Sequence, residues 1–148
     1  MKLTDLFEPN DIIVQSYQLK EAKGIGTITW SQLKRIEDHT NQLWNTIGFK
    51  LDIPVHFFKK INVARNTPNI TVKELRDLFD KSSRQLGNKL SEFADKSIRK
   101  EAVIFDSETN INVPVAIKWN NTLDMFELIA KTVKRKKDYH TSNTKFVV

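Results

Sequence analysis

Ala102-Val-Ile-Phe-Asp-Ser-Glu-Thr-Asn-Ile-Asn-Val-Pro-Val-Ala-Ile-Lys-Trp119 decides the fold class of this chain. Ala102–Asp106 is short, apolar and rich in β-forming residues, and Ser107–Asn110 is a turn. Ile111, Val113, Val115, Ile117 and Trp119 then alternate with Asn112, Ala116 and Lys118. A period of two after a turn marks a hairpin, because successive side chains of a strand point to opposite faces. Pro114 has no N–H to give to a ladder, so the strand needs an edge or a bulge there. Asn120–Thr122 turns the chain again. Phe126, Leu128, Ala130 and Thr132 next alternate with Glu127, Ile129, Lys131 and Val133, and Phe146–Val148 supplies a short last strand.

Upstream of this region the period is helical. Thr29-Trp-Ser-Gln32 and Thr71-Val-Lys-Glu74 both have capping-box spacing, in which a hydroxyl and an amide or carboxylate satisfy orphan backbone donors. The first box opens a helix carrying Leu33, Ile36, Leu43, Trp44 and Ile47, with Gly48 to end it. His39, on the same face, reads as a packed or half-buried histidine. Phe49–Pro54 reads as a connection. A second helix over Val55–Arg65 presents His56, Phe57, Lys60 and Ile61. The third carries Val72, Leu75, Leu78, Phe79, Leu86, Leu90 and Phe93 to about Ser97, with Gly87-Asn88 as a point of kinking. Nearer the N-terminus, Lys2–Phe7 fits an amphipathic turn and Asp11–Leu19 an extended segment. Gly24-Ile-Gly26 lacks the third glycine of a phosphate loop and reads as a flexible turn.

This order predicts an α+β fold, with two to three N-terminal helices packed on a four-stranded antiparallel meander. Residues 1–50 are expected to form an N-terminal segment with one amphipathic helix, and residues 51–148 the core. A chain of 148 residues suits such an arrangement. It has no cysteine, which excludes disulfides and thiolate metal sites. No run approaches the ~20 apolar residues of a membrane span, and none has the form of a signal peptide. The expectation is a soluble, cytoplasmic protein with no membrane partner.

Charge points to a partner. The chain has 24 Lys and Arg against 18 Asp and Glu, and Ile129–Val148 holds six of those cations and one of those anions. The first 128 residues therefore carry 18 cations and 17 anions, so nearly the whole imbalance lies in the last twenty. Lys131, Lys134, Arg135, Lys136, Lys137 and Lys145 are the expected nucleic-acid-binding residues, since a dense cationic field favours a polyanion. Trp119, Tyr139 and Phe146 are candidate stacking surfaces, although strand alternation gives Trp119 and Phe146 core roles as well.

Metal-free RNA cleavage needs a base, an acid and cations for the charged phosphorane. His56, Lys60, Arg65, Arg135, Tyr139 and His140 are the candidate catalytic residues. No metal or cofactor is expected: H-E-x-x-H, calcium-loop and G-x-S-x-G spacings are all absent. Glu74, Asp77 and Asp80 suggest a carboxylate cluster, but Lys73–Asp77, Arg76–Asp80, Asp77–Lys81 and Asp80–Arg84 are all spaced i,i+4, the pattern of a solvated helix face.

His56-Phe-Phe-Lys-Lys60, Arg65-Asn66 and Ile70-Thr-Val-Lys-Glu-Leu75 together resemble a pattern found in small proteins of tailed bacteriophages. Asn110-Ile-Asn-Val-Pro114 and Lys131–His140 are similar to later motifs of that group, and the likeness covers about Ile53 to Val148. More distantly, helices followed by a meander resemble the RelE-like and barnase-like endoribonuclease fold. That resemblance implies a metal-independent endoribonuclease. His56 would be the helix-start histidine, Arg65 a second basic position, and Arg135 and His140 the strand-end pair. Lys60 stands where the pattern has arginine and lacks its bidentate fork. The alternatives are a nucleic-acid-binding module without catalysis, or a virion-associated structural protein with a basic edge. RNA is the favoured partner and DNA the second. Residues 1–50 are the expected contact for a second copy or a phage structural partner.

Overall fold

The computed structural model describes residues 28–63 and 66–148. The elements expected over Lys2–Phe7 and Asp11–Leu19, the Gly24–Gly26 turn and Arg65 lie outside the described residues.

Both capping boxes form. Thr29 Oγ1 accepts from the Gln32 N–H at 3.1 Å while the Thr29 N–H donates to Gln32 Oε1 at 2.8 Å, opening α1 over Trp30–Trp44. A 3-10 turn, Asn45–Ile47, follows, and Gly48 reverses the chain at a φ of +83°, which costs little only without a Cβ. Next come β1 (Phe49–Asp52) and α2 (Val55–Ile61). Thr71 and Glu74 then cap α3 (Val72–Phe93), in which Gly87 does not interrupt the helix. A Cβ at Gly87 would lie 3.4 Å from Ile47 Cδ1, at the edge of ordinary van der Waals contact, so the turn after α1 packs beside α3 at this point. The strands that follow are β2 (Lys100–Asp106), β3 (Ile111–Asn120), β4 (Met125–Ala130), β5 (Lys134–Arg135) and β6 (Thr144–Val147).

The sheet corrects the expected four-stranded antiparallel meander. It has six strands and is mixed, in the order β1-β4-β3-β2-β6, with β5 also pairing β3. β2, β3 and β4 do form a meander. However, β1 lies parallel to β4 and β6 lies parallel to β2. The likeness to a RelE or barnase meander falls with that correction. β1 spans four residues and alternates only as Phe49 and Leu51 buried against Lys50 exposed, too short a pattern to separate strand from connection. For β6, alternation alone carries no information about pairing direction.

Alternation and register put Phe49, Leu51, Ala102, Ile104, Ile111, Val113, Val115, Ile117, Leu128 and Ala130 on one face, all of them buried. They share a continuous core with Leu33, Ile36 and Trp44 of α1 and Leu75, Leu78, Phe79, Leu86 and Leu90 of α3. α1 and α3 run in the same direction. Gln32 and Arg35 flank Val72 and Arg76, His39 meets Asp80, and Ile47 meets Gly87. His39, read from the sequence as packed or half-buried, is more open than that: its side chain is 56% exposed at the rim of this helix pair.

Pro114 meets its requirement through its neighbours. Ala130 is the last β4 residue in register, opposite Val115, and pairing resumes with Lys134 opposite Asn112. Lys131, Thr132 and Val133 therefore face only Val113 and Pro114, a β-bulge of one extra residue. The Pro114 carbonyl accepts from the Lys131 N–H at 2.9 Å, and Val133 turns into the core. One added residue inverts the facing of all that follows. Opposite core-facing Ile111 stands Arg135, where an uninterrupted register would place Lys134.

Inserting one alanine after Thr132 should shift the register beyond the bulge by one residue, turn Lys134 inward and Arg135 outward, and cost about 3 kcal/mol or more in urea unfolding. Thr132→Ala, which keeps the residue count, should stay within about 1 kcal/mol of wild type. Equal stability of the two variants would refute the bulge as the device that orients Arg135.

Candidate nucleic-acid interface

The basic stretch begins where the bulge aims Arg135 at the first turn of α3. The guanidinium forms a two-pronged pair with Glu74, Nη1 to Oε2 at 2.9 Å and Nη2 to Oε1 at 2.8 Å. Nε donates to the Pro68 carbonyl at 2.9 Å, Nη1 also to Thr109 at 3.0 Å, and Nη2 also to Asn69 at 3.1 Å. All five guanidinium N–H groups are therefore taken by protein acceptors. The side chain is 10% exposed. Arg135 is an internal anchor, and no donor is left over for a phosphate.

Two asparagines complete the anchor, and neither stands out in the sequence as functional. Buried Asn66 accepts the Arg135 backbone N–H at 2.9 Å, while its amide donates to the carbonyls of Lys60 and Ile61 at 3.1 and 3.2 Å. It ties the end of α2 to β5. Buried Asn112 donates to the carbonyls of Asn110, Lys134 and Lys136 at 3.3, 3.2 and 2.8 Å, holding down the chain just before the loop. The Lys136 N–H in turn donates to Asn110 at 2.8 Å. Asn110 itself has a φ of +61°, a backbone that asparagine tolerates better than most residues. Asn66, Glu74 and Asn112 all lie in the short motifs quoted above, but nothing in those motifs assigns them an anchoring role.

The remaining candidates divide. Lys131 is paired with Glu101 across the sheet. Lys145 bends back, donating to the Tyr139 carbonyl at 2.8 Å with its ammonium 5.2 Å from the Phe105 ring centroid. Lys134 is half-buried, Tyr139 half-buried, and Lys136, Lys137 and His140 are exposed. His56 is exposed on the first turn of α2, and Lys60 is half-buried further along it. No hydrogen bond, ion pair or ring contact joins the side chains of His56 or Lys60 to Tyr139 or His140. Lys60 meets the anchor only through its carbonyl.

The stacking candidates also lie elsewhere. Phe146 packs edge-on against Phe93, with centroids 5.4 Å apart. Trp119 packs on Phe126 at 5.0 Å, eight residues along β3 from the Arg135 partner Ile111, or about 26 Å at the usual strand rise. Among the described residues no group of three or more His, Cys, Asp or Glu could hold a metal ion. No family model, no curated protein and no solved structure matches the chain.

The Arg135 hydrogen bonds hold the Glu74 carboxyl below its ordinary value of 4.5, with the bond from Thr71 adding to the effect and partial burial opposing it. A carboxyl lowered on folding contributes stability that is present above pH 4.5 and is lost as the pH falls through the lower folded value. Glu74→Gln should therefore lower stability by about 2 kcal/mol at neutral pH. The gap to wild type should narrow as the pH falls below 4.5, measured by urea unfolding across that range. A gap that does not change with pH would show that the lost charge is not what matters.

Proposed function

We propose that this protein binds nucleic acid, RNA first, through the loop that runs from β5 to β6, and that it does so without cutting the strand. The observation that carries this reading is the fastening of a lysine-rich loop at both ends. Asn112 and the Arg135 anchor hold its start, and the parallel pairing of β6 with β2 holds its end. Lys136 and Lys137 are exposed between these points, with Lys134 half-buried beside them. A fixed backbone limits the conformational freedom that the lysines lose on meeting phosphates. Histidine-based cleavage would need His56 or a second acid–base group in contact with His140, and an available guanidinium. The engagement of all five Arg135 N–H groups and the lack of any His56–His140 contact favour binding over catalysis.

Three lysines without an anionic partner imply a modest, salt-sensitive interaction. For single-stranded RNA the slope of log K against log salt should be about −2, from roughly 0.7 per neutralised phosphate. Fluorescence anisotropy with labelled RNA in chelator measures it. Lys136→Ala/Lys137→Ala should flatten the slope by more than half and leave the melting temperature within about 2 °C of wild type. The reading fails if RNA does not bind at low salt. Cleavage in chelator that disappears in His140→Ala would replace it with the nuclease reading.

A further inference from the structure

A second basic site lies on the other side of α3. Between the first turns of α1 and α3 is a cavity of about 320 Å³ lined by Gln32, Arg35, Ile36, His39, Val72 and Arg76. The spacing explains the lining: Gln32, Arg35, Ile36 and His39 fall on one helical face, as do Val72 and Arg76. Arg76 follows Glu74 by two residues, about 200° around the helix at 3.6 residues per turn. Glu74 therefore serves the Arg135 anchor while Arg76 faces away from it, so the cavity and the lysine loop are separate.

The chemistry of the lining is one-sided. Among the described residues neither Arg35 nor Arg76 has a hydrogen bond or ion pair. The Gln32 side-chain oxygen is already occupied by the Thr29 N–H, which leaves its NH2 to donate. His39 Nε2 lies 3.5 Å from Asp80 Oδ2, which steadies the ring at the rim. The walls thus offer two guanidinium forks, an amide NH2 and an imidazole above an apolar floor of Ile36 and Val72, and no lining residue is acidic. Guanidinium groups approaching from two helices suit a tetrahedral oxyanion, which accepts several hydrogen bonds at once. The floor suits a compact organic body, and the volume is at the small end of ligand sites.

We propose that this cavity binds a small organic phosphate, of at most mononucleotide size, with Arg35 and Arg76 holding the phosphate and Ile36 and Val72 receiving the body. Calorimetry on the full chain with adenosine 5′-monophosphate, adenosine and inorganic phosphate tests it. The monophosphate should bind saturably, adenosine should not, and inorganic phosphate should bind more weakly than the monophosphate. Arg35→Ala and Arg76→Ala should each weaken monophosphate binding at least about tenfold, the loss expected for a charge-assisted hydrogen bond. Both residues are exposed, so the unliganded melting temperatures should stay near wild type. Lys136→Ala/Lys137→Ala should leave monophosphate binding unchanged, which separates this site from the RNA-binding loop. The proposal is overturned by absence of saturable monophosphate binding, by equal binding of adenosine, or by full binding in either arginine variant. Equal affinity for inorganic phosphate would likewise overturn it, because the apolar floor would then read nothing.

Discussion

The pairing of Arg135 with Glu74 joins three parts of the chain that are distant in sequence, residues 68–74, Thr109 and Arg135 itself. Glu74 Oε1 accepts both the capping Thr71 N–H and the Arg135 guanidinium, so one carboxylate starts α3 and anchors β5. The same guanidinium holds the carbonyls of Pro68 and Asn69 before α3 and of Thr109 in the β2–β3 turn. A partly buried ion pair of this kind gains little net free energy, since desolvation offsets most of the Coulomb attraction. Its effect is geometric. Five donors in a rigid plane meet acceptors in fixed positions, and only one register of β5 satisfies them.

That geometry changes what the charge imbalance means. Counted along the sequence, the last twenty residues look like a uniform cationic field. In the fold, Glu74 and Glu101, both from outside the stretch, pair with Arg135 and Lys131, and Lys145 is turned onto a carbonyl. Lys134, Lys136 and Lys137 remain, with exposed Asp138 beside them. Interactions at such exposed sites fall off within a Debye length of about 8 Å at physiological salt, so the loop acts as a local patch rather than a long-range field. The part of the stretch that reads as most basic contains its most structural residue.

Local chemistry was legible in the sequence, and non-local pairing was not. Both capping boxes, the Ser107–Asn110 hairpin turn and the three-stranded meander follow from residues close together in the chain. The parallel pairings of β1 with β4 and β6 with β2 depend on partners about 40 to 80 residues away, and four-residue strands leave no period from which to infer them. Pro114 did announce an edge or a bulge, but not that the extra residue would lie in the opposite strand, where it exchanges Lys134 for Arg135. For the candidate site, exposure of Lys136, Lys137 and His140 fits a loop reading. The anchoring of Arg135 could not be read, because a guanidinium bound to protein and one free for phosphate look the same in a sequence.

The same limit governs the acidic row of α3. Spacing alone pairs Lys73 with Asp77, Arg76 with Asp80, Asp77 with Lys81 and Asp80 with Arg84, each worth only a few tenths of a kcal/mol on an exposed face. The Lys73–Asp77 pair forms, at 2.6 Å. Lys81 instead reaches Asp106 at 2.7 Å, and the reason is burial: the Asp106 side chain is 2% exposed, and an unpaired charge there would cost several times an exposed helix pair. Asp80 turns to His39 on α1 rather than to Arg76. With Asp80 drawn to His39, both Arg76 and Arg84 are left without a carboxylate partner among the described residues, and Arg76 is one of the two arginines that line the cavity between the helices. A row that reads as self-neutralising in sequence becomes a source of unspent positive charge once it is packed.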